Sequence, residues 1–172
     1  FVQDRQFVLN IPDLDSISRA QANFNSFFQE SILALWDFKA AFPSIRHAWV
    51  HAVFEHYGFP KGFRLFLISL LSFNFAISTL TGVQTFLYLI LVGIIQGCPS
   101  AGLLFAVAAD PFFTLLKDIQ DKYYSIQASA APLTAFRGCA DDIGGALSSF
   151  KLLRIVYPVF KKASDFANLS LN

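Results

Sequence analysis

Cysteine is rare and methionine is absent in this 172-residue sequence. It has two cysteines, Cys98 and Cys139, and no methionine at all. Two thiols are too few for a disulfide framework and their spacing matches no zinc-binding pattern, so we expect reduced cysteines in an intracellular protein. No basic segment followed by an apolar one opens the chain. We therefore expect no signal peptide and interpret the sequence as an internal piece of a longer protein.

An excess of charge of either sign is also missing. Lysine and arginine number 13 against 12 acidic residues, which gives a net charge of +1. Because nucleic-acid-binding proteins usually carry a clearly basic balance, any such partner must be argued from a local site.

Charge is absent altogether from Leu65 to Ala109. That stretch is long enough for two membrane crossings of about 20 residues each. Polar residues interrupt it, however, and its middle favours β-structure. A polytopic membrane segment and a buried sheet are therefore competing interpretations.

Apolar residues are what the sequence has in abundance. They make up 55% of the chain and include 21 phenylalanines, against roughly 45–50% apolar residues in ordinary soluble domains. The length suits one domain that buries a sizeable core without disulfides.

Hydrophobic periodicity and capping residues predict a mixture of strands and helices. We expect an extended start over residues 1–12 and a helix from Ser16 to about Phe28, capped by Asp13 or Asp15. The other predicted strands cover 31–37, 74–80, 84–93, 133–140 and 143–147, and the other predicted helices cover 45–57, 60–72, 100–120 and 149–168. Several hairpins without a βαβ glycine fingerprint indicate an α+β fold, an antiparallel sheet with helices packed on one face. The acid-bearing elements would be neighbouring central strands.

Three carboxylates form the candidate catalytic group. Asp37 ends one apolar strand, and Asp141 and Asp142 separate two others, so folding can bring the three together at one edge of the sheet. Crowded carboxylates either take up protons or hold a hard cation, and Mg²⁺ prefers oxygen ligands. Two such ions roughly 3.5–4 Å apart clamp the attacking and leaving oxygens of a phosphoryl transfer. Taken alone, however, an Asp-Asp pair between strands is more often a turn.

Four blocks of sequence, in order, resemble the reverse transcriptases, most closely those of non-LTR retrotransposons. They are Asp37–His47, Gly93–Pro99 with its Gln-Gly-Cys-Pro core, Cys139–Asp142, and Phe160–Asn172. Residues 1–7 resemble the end of the family's fingers more weakly. Four ordered blocks are far more specific than any one of them.

The resemblance implies an RNA-directed DNA polymerase that transfers a nucleotide from a dNTP to a primer 3′-hydroxyl. It implies catalysis by Asp37, Asp141 and Asp142, which would hold two Mg²⁺ ions, or Mn²⁺ as a substitute, together with the backbone carbonyl of Phe38. The remaining roles are dNTP binding by Ala41, Phe42, Gln96 and Gly97, with Phe42 as the steric gate against a 2′-hydroxyl, and primer or template contact by Pro99, Cys139 and Ala140.

The resemblance also implies a domain organisation and a set of partners. Residues 1–30 would be a remnant of the fingers with a connecting helix, and 31–172 the palm, with the fingers truncated and the thumb absent. An RNA template, a DNA primer, a dNTP and the missing parts of a parent polyprotein would be the partners, with no membrane. The place of action would be the nucleus or cytoplasm, as part of a retroelement. A catalytically inactive retroelement remnant is the alternative that stays open.

Several of these residues have structural interpretations as well. Phe42 could be ordinary core, and Gln96 could cap the helix that follows it. His47 and His51, four residues apart on a predicted helix, could share a metal, but no glutamate accompanies them as in a zinc protease. We interpret the histidine pair as structural.

Overall fold

The structure is a computed structural model that describes residues 7–24, 31–72, 74–95, 97–125, 134–139 and 142–172. Its helices are α1 (Phe7–Phe24), α2 (Ala41–Ser44), α3 (His47–His56), α4 (Lys61–Leu71), α5 (Ala101–Ser125) and α6 (Leu153–Lys162). A 3₁₀ turn, Phe150–Leu152, precedes α6 and a π turn, Ala163–Ala167, follows it. The strands are β1 (Ile32–Asp37), β2 (Phe75–Leu80), β3 (Val83–Leu89), β4 (Thr134–Cys139) and β5 (Asp142–Leu147).

The larger sheet has the strand order β1-β5-β4, and both of its pairings are antiparallel. Its central strand is buried along 143–147 because it has a strand on each side and helices on both faces. On one face Trp36 packs so closely on Gly145 that a Cβ there would lie 2.7 Å from the indole ring. On the other face Leu14 of α1 packs with Ala135 and Ala146. The small residues Gly145 and Ala146 therefore allow side chains from both faces of the sheet to pack closely against β5.

The main helical layer lies on the Trp36 face of this sheet. Helices α3, α4, α5 and α6 share one core with it, and its largest fully buried side chains include Phe54, Leu67, Leu104, Phe105, Leu116 and Val156. The Trp49 indole N–H donates to the Ala108 carbonyl at 2.8 Å, which fixes α3 against α5. The predicted α+β class, with antiparallel sheets and packed helices, is confirmed.

The second sheet is the antiparallel pair of β2 and β3, here called the apolar ribbon (Phe75–Leu89). Every residue from 77 to 89 is exposed. Large apolar side chains among them include Ile77, Leu80, Val83, Phe86, Leu87, Tyr88 and Leu89. The predicted hairpin is confirmed, but its burial is not.

Several details differ from the sequence-based predictions. Helices pack on both faces of the larger sheet and not on one, because α1 covers the face opposite the main helical layer. The extended start was wrong for residues 7–12, because α1 begins at Phe7 and runs through Pro12. Asp13 is no cap: its carboxylate pairs with Arg137 of β4, which holds the helix on the sheet. Asp142 is the first residue of β5 rather than a turn residue, and β5, not β1, is the central strand.

In the part of the chain that the structure describes, none of the helices combines the length and the apolar character needed to cross a membrane.

Candidate active site at the acidic edge of the sheet

Asp37 and Asp142 lie directly opposite each other on neighbouring strands. In the β1–β5 ladder Asp37 pairs with Asp142, and in the β4–β5 ladder Asp142 pairs with Cys139. Directly opposed residues in antiparallel strands point to the same face, with Cβ atoms roughly 4.5–5.5 Å apart. The register therefore places two of the three predicted carboxylates side by side on one face, although they are 105 positions apart in sequence.

The third predicted carboxylate, Asp141, lies outside the described residues, as do Ala140 and Gln96. Among the residues that are described, no group of three or more histidine, cysteine or acidic side chains could hold a metal ion. Asp37 and Asp142 are both exposed. Two exposed carboxylates suit a hard cation that keeps several of its waters, as Mg²⁺ does.

Phe38 follows Asp37 and turns its side chain into the core. The ring is 3% exposed and packs edge-on against Phe160, with the ring centroids 6.1 Å apart. Its backbone pairs with Leu171 in an isolated antiparallel bridge. Any part that Phe38 takes in the site is therefore through its main chain.

The last residues of the chain contact this edge. The Asn172 side-chain amide donates to Asp37 Oδ2 at 2.7 Å, and the Asn172 backbone N–H donates to the Asp37 carbonyl at 3.0 Å. Two residues further along the same pairing, the Lys39 N–H donates to the Ser170 carbonyl at 2.8 Å. Sequence reasoning included Asn172 in the fourth block but gave it no role, and nothing in its local sequence points to Asp37.

The segment after β1 turns sharply into α2. Ala40 has a left-handed backbone, with φ 47°, and the next residue, Ala41, is buried. Phe42 is half-buried, and its ring stacks on Phe105 of α5 at a centroid distance of 4.5 Å. One ring face of Phe42 is therefore fixed by the core, so both the gate and the core interpretations remain compatible with its position.

The second block is fastened to this segment through Gly93. Its N–H donates to the Ile45 carbonyl at 2.7 Å, and its own carbonyl lies 2.7 Å from His47 Nε2. Gly93 has φ +90°, and a Cβ on it would lie 2.3 Å from the Pro43 carbonyl oxygen. Glycine is required here for both reasons. With Nε2 engaged by a backbone carbonyl, His47 fits the structural interpretation of the histidine pair.

Burial also affects His51, the other member of that pair. The pKa of His51 lies below its usual range because burial disfavours the charged ring, and the neighbouring His47 adds to the effect. A neutral, partly buried imidazole is the expected state near neutral pH.

The loop between Gly93 and α5 carries the other predicted residues of the second block. Gly97 is exposed with φ +94°, and Pro99 is exposed as well. Cys98 Sγ lies 3.1 Å from Ser100 Oγ. The pKa of the Cys98 thiol is lowered, mainly because the Ser100 hydroxyl and then the Ser100 backbone N–H stabilise the thiolate, and burial acts in the opposite direction.

No family model and no curated protein matches the chain. Solved structures do. Apo telomerase from Candida tropicalis is 8% identical with a TM-score of 0.66, over 94% of this chain and 30% of that one. The same enzyme in complex with the TWJ fragment of telomeric RNA is 10% identical with a TM-score of 0.64, over 98% and 28%. The Candida albicans telomerase complex with the TWJ fragment is 8% identical with a TM-score of 0.60, over 98% and 30%.

Because the sequence identities are low, these similarities show the fold of the chain and nothing beyond it. The chain spans about a third of the length of these telomerases. Its α+β architecture is therefore similar to that of part of these telomerases.

Proposed function

We propose that this chain is the palm portion of a reverse transcriptase, an RNA-directed DNA polymerase. The observation that carries the proposal is the antiparallel register that sets Asp37 opposite Asp142. The four ordered sequence blocks support it, and so does the likeness in fold to telomerase. The narrower assignment to the non-LTR lineage rests on the sequence blocks alone.

Asp37, Asp142 and Asp141 would hold two Mg²⁺ ions, or Mn²⁺ in their place, together with the main-chain carbonyl of Phe38. Bound divalent ions would supply charge neutralisation at the phosphates and activation of the primer 3′-hydroxyl. Asp37 and Asp142 fit such ions because both are exposed carboxylates, which are hard oxygen ligands. The buried strand β5 holds Asp142 in a fixed register with Asp37, so little ordering remains when an ion binds.

The segment after β1 and the second block would form the nucleotide pocket. Ala41 and Phe42 would lie beneath the incoming sugar, where the phenylalanine ring leaves no room for a 2′-hydroxyl, and Gln96 and Gly97 would form the floor. The stacking of Phe42 on Phe105 supports a gate of fixed orientation. The Ile94 N–H donates to the Phe42 carbonyl at 2.7 Å and ties the two segments together.

Primer and template contact would fall to Pro99, Cys139 and Ala140. An RNA template, a DNA primer and a dNTP would be the partners, together with the remaining fingers and the thumb of a parent polyprotein in the nucleus or cytoplasm. Residues 1–30 would belong to the fingers and their connecting helix, and 31–172 to the palm.

Metal titration tests the proposal on the chain itself. We expect Mn²⁺ binding, followed by the electron paramagnetic resonance signal of the free ion, to weaken at least tenfold in the Asp37→Asn and Asp142→Asn variants, because each removes one charged ligand. Asp118→Asn, an exposed acid on α5, is the matched control and should bind as the wild type does. Equal affinity in all three variants would exclude the proposed site.

Synthesis by the full-length parent protein, with its fingers and thumb restored, is the second half of the test. RNA-templated extension of a DNA primer should be lost in the Asp37→Asn and Asp141→Asn variants, and wild-type-like synthesis by either would rule out its metal role. Phe42→Ala should admit ribonucleotides, so unchanged sugar selection would exclude the gate. Mn²⁺ binding without any synthesis would identify an inactive retroelement remnant.

A further inference from the structure

Asn172 is the side chain that the structure sets against the Asp37 carboxylate. Its amide N–H reaches Oδ2 at 2.7 Å, while its backbone N–H separately donates to the Asp37 main-chain carbonyl at 3.0 Å. The two bonds approach Asp37 from residues 135 positions later in the sequence. The side-chain bond occupies Oδ2 of the carboxylate and leaves Oδ1 without a contact to Asn172.

The segment that delivers Asn172 is anchored along its length. Leu169 is fully buried, and the Arg46 N–H donates to the Ala167 carbonyl at 3.0 Å. Asn168 adopts a left-handed backbone and donates from its side chain to the Ser44 carbonyl at 2.8 Å. The bridge between Phe38 and Leu171 then sets the register of the final residue. The amide therefore reaches Asp37 from a fixed position.

We infer that Asn172 is a positioning residue for the proposed metal site: it holds the Asp37 carboxylate so that Oδ1 alone faces a bound divalent ion. This inference rests on the proposed function. Asn172 would act on the ion only through Asp37.

A neutral amide suits this task better than a cationic side chain would. Asp37 and Asp142 are neighbouring carboxylates, and the Asn172 amide orients Asp37 by donating a hydrogen bond to Oδ2. A lysine or arginine in the same place would do so as well, but its positive charge would also repel the incoming cation. The amide orients the carboxylate and leaves the negative charge of the site intact.

Removal of the Asn172 amide should change how Asp37 coordinates a bound divalent ion. Without the Asn172 amide, Asp37 can rotate and bind the ion through both oxygens, which displaces one water from an octahedral shell. Loss of the fixed orientation should also weaken binding by about tenfold, the lower end of what changes in the partners of metal ligands usually cost.

The experiment compares Asn172→Ala with Ser170→Ala by Mn²⁺ titration of the chain. Asn172→Ala keeps the backbone bond to Asp37 and removes only the side-chain donor. Ser170→Ala is the matched control: its hydroxyl bonds Ser164 Oγ at 2.9 Å and not Asp37, and its backbone contact with Lys39 is kept. The dissociation constant is measured together with the number of waters on the bound ion, from ¹⁷O-water broadening of the Mn²⁺ resonance.

We expect Asn172→Ala to bind about tenfold more weakly, with one bound water fewer, and Ser170→Ala to match the wild type in both readouts. An unchanged affinity or an unchanged water number in Asn172→Ala overturns the inference, and so does an equal effect of Ser170→Ala. If the inference fails in one of these ways but Asp37→Asn still abolishes Mn²⁺ binding in the same experiment, the proposed function stands. If the wild-type chain binds no Mn²⁺, the proposed function fails and the inference falls with it.

Discussion

The acid-bearing sheet and the apolar ribbon are both antiparallel β-structures built from β-favouring residues, but they differ in what surrounds them. Strand β5 is covered on both faces, and the segment that follows its neighbour β1 is held by backbone bonds to distant segments. In the ribbon every residue from 77 to 89 is exposed. An isolated two-stranded hairpin is marginal in water. Local β-preference is therefore enough to specify a strand in this chain, whereas only tertiary contact gives the strand a fixed place.

The largest expected effect separates the ribbon from the packed loop that follows it, and it is the stability cost of a single methyl group added to a glycine. Gly93→Ala forces a Cβ to within 2.3 Å of the Pro43 carbonyl oxygen at a φ of +90°. The combined clash and backbone strain should lower the free energy of unfolding by roughly 4 kcal/mol. In the ribbon, Gly82→Ala has φ +83° with nothing within 4 Å, so strain alone applies, at about 1 kcal/mol.

Urea unfolding followed by circular dichroism measures both variants. A cost for Gly82→Ala as large as that for Gly93→Ala would contradict the comparison, because it would mean that the turn of the ribbon is as crowded as the loop at Pro43.

Truncation of a leucine sharpens the same comparison at a smaller scale. Leu147 of β5 is 0% exposed, whereas Leu80 of β2 is 74% exposed. Leu147→Ala should cost about 3 kcal/mol of stability, because it removes buried methyl groups and leaves a cavity. Leu80→Ala should stay within about 0.5 kcal/mol of the wild type. The same urea titration measures the free energy of unfolding of both variants. A large loss of stability in Leu80→Ala would show that the ribbon is covered in solution.

The smallest expected effect concerns the thiol where the chain leaves the ribbon region and enters α5. Since the lowered pKa of Cys98 comes first from the Ser100 hydroxyl, its thiolate should form at lower pH than that of a free cysteine. Iodoacetamide alkylation against pH, in a Cys139→Ser background so that one thiol reports, should have its midpoint below that of a free cysteine measured in the same way. Ser100→Ala should move that midpoint upward.

Ser78→Ala on the ribbon is the control for this titration, since its side chain is exposed and belongs to another element. Its alkylation midpoint should equal that of the background. An identical midpoint in the Ser100→Ala variant would show that the hydroxyl does not stabilise the thiolate.

Much of the fold was predictable because the governing patterns are local. The apolar run ending at Asp37, the β-favouring residues on both sides of Gly82 and the long helix from Ala101 follow from periodicity and turn chemistry. The helix through Pro12 did not follow, because local rules place a break there and the packing of α1 on β4 and β5 overrides them.

The candidate site could also be predicted from the sequence only in part. Two carboxylates at strand ends could be predicted to meet, and the register places Asp37 opposite Asp142. The roles of Asn172 and Gly93 could not be predicted, because each depends on a contact with a segment far away in sequence. A hydrogen bond across such a separation leaves no periodic trace in the residues that make it.

The separation between Asp37 and Asn172 also bears on how the molecule is made. A ribosome releases Asn172 135 positions after Asp37, so a nascent chain carries its acidic edge unfinished until the last block has emerged. Contacts between such distant residues form late and slowly. Newly made protein should therefore gain its final carboxylate geometry only after translation has passed the last block.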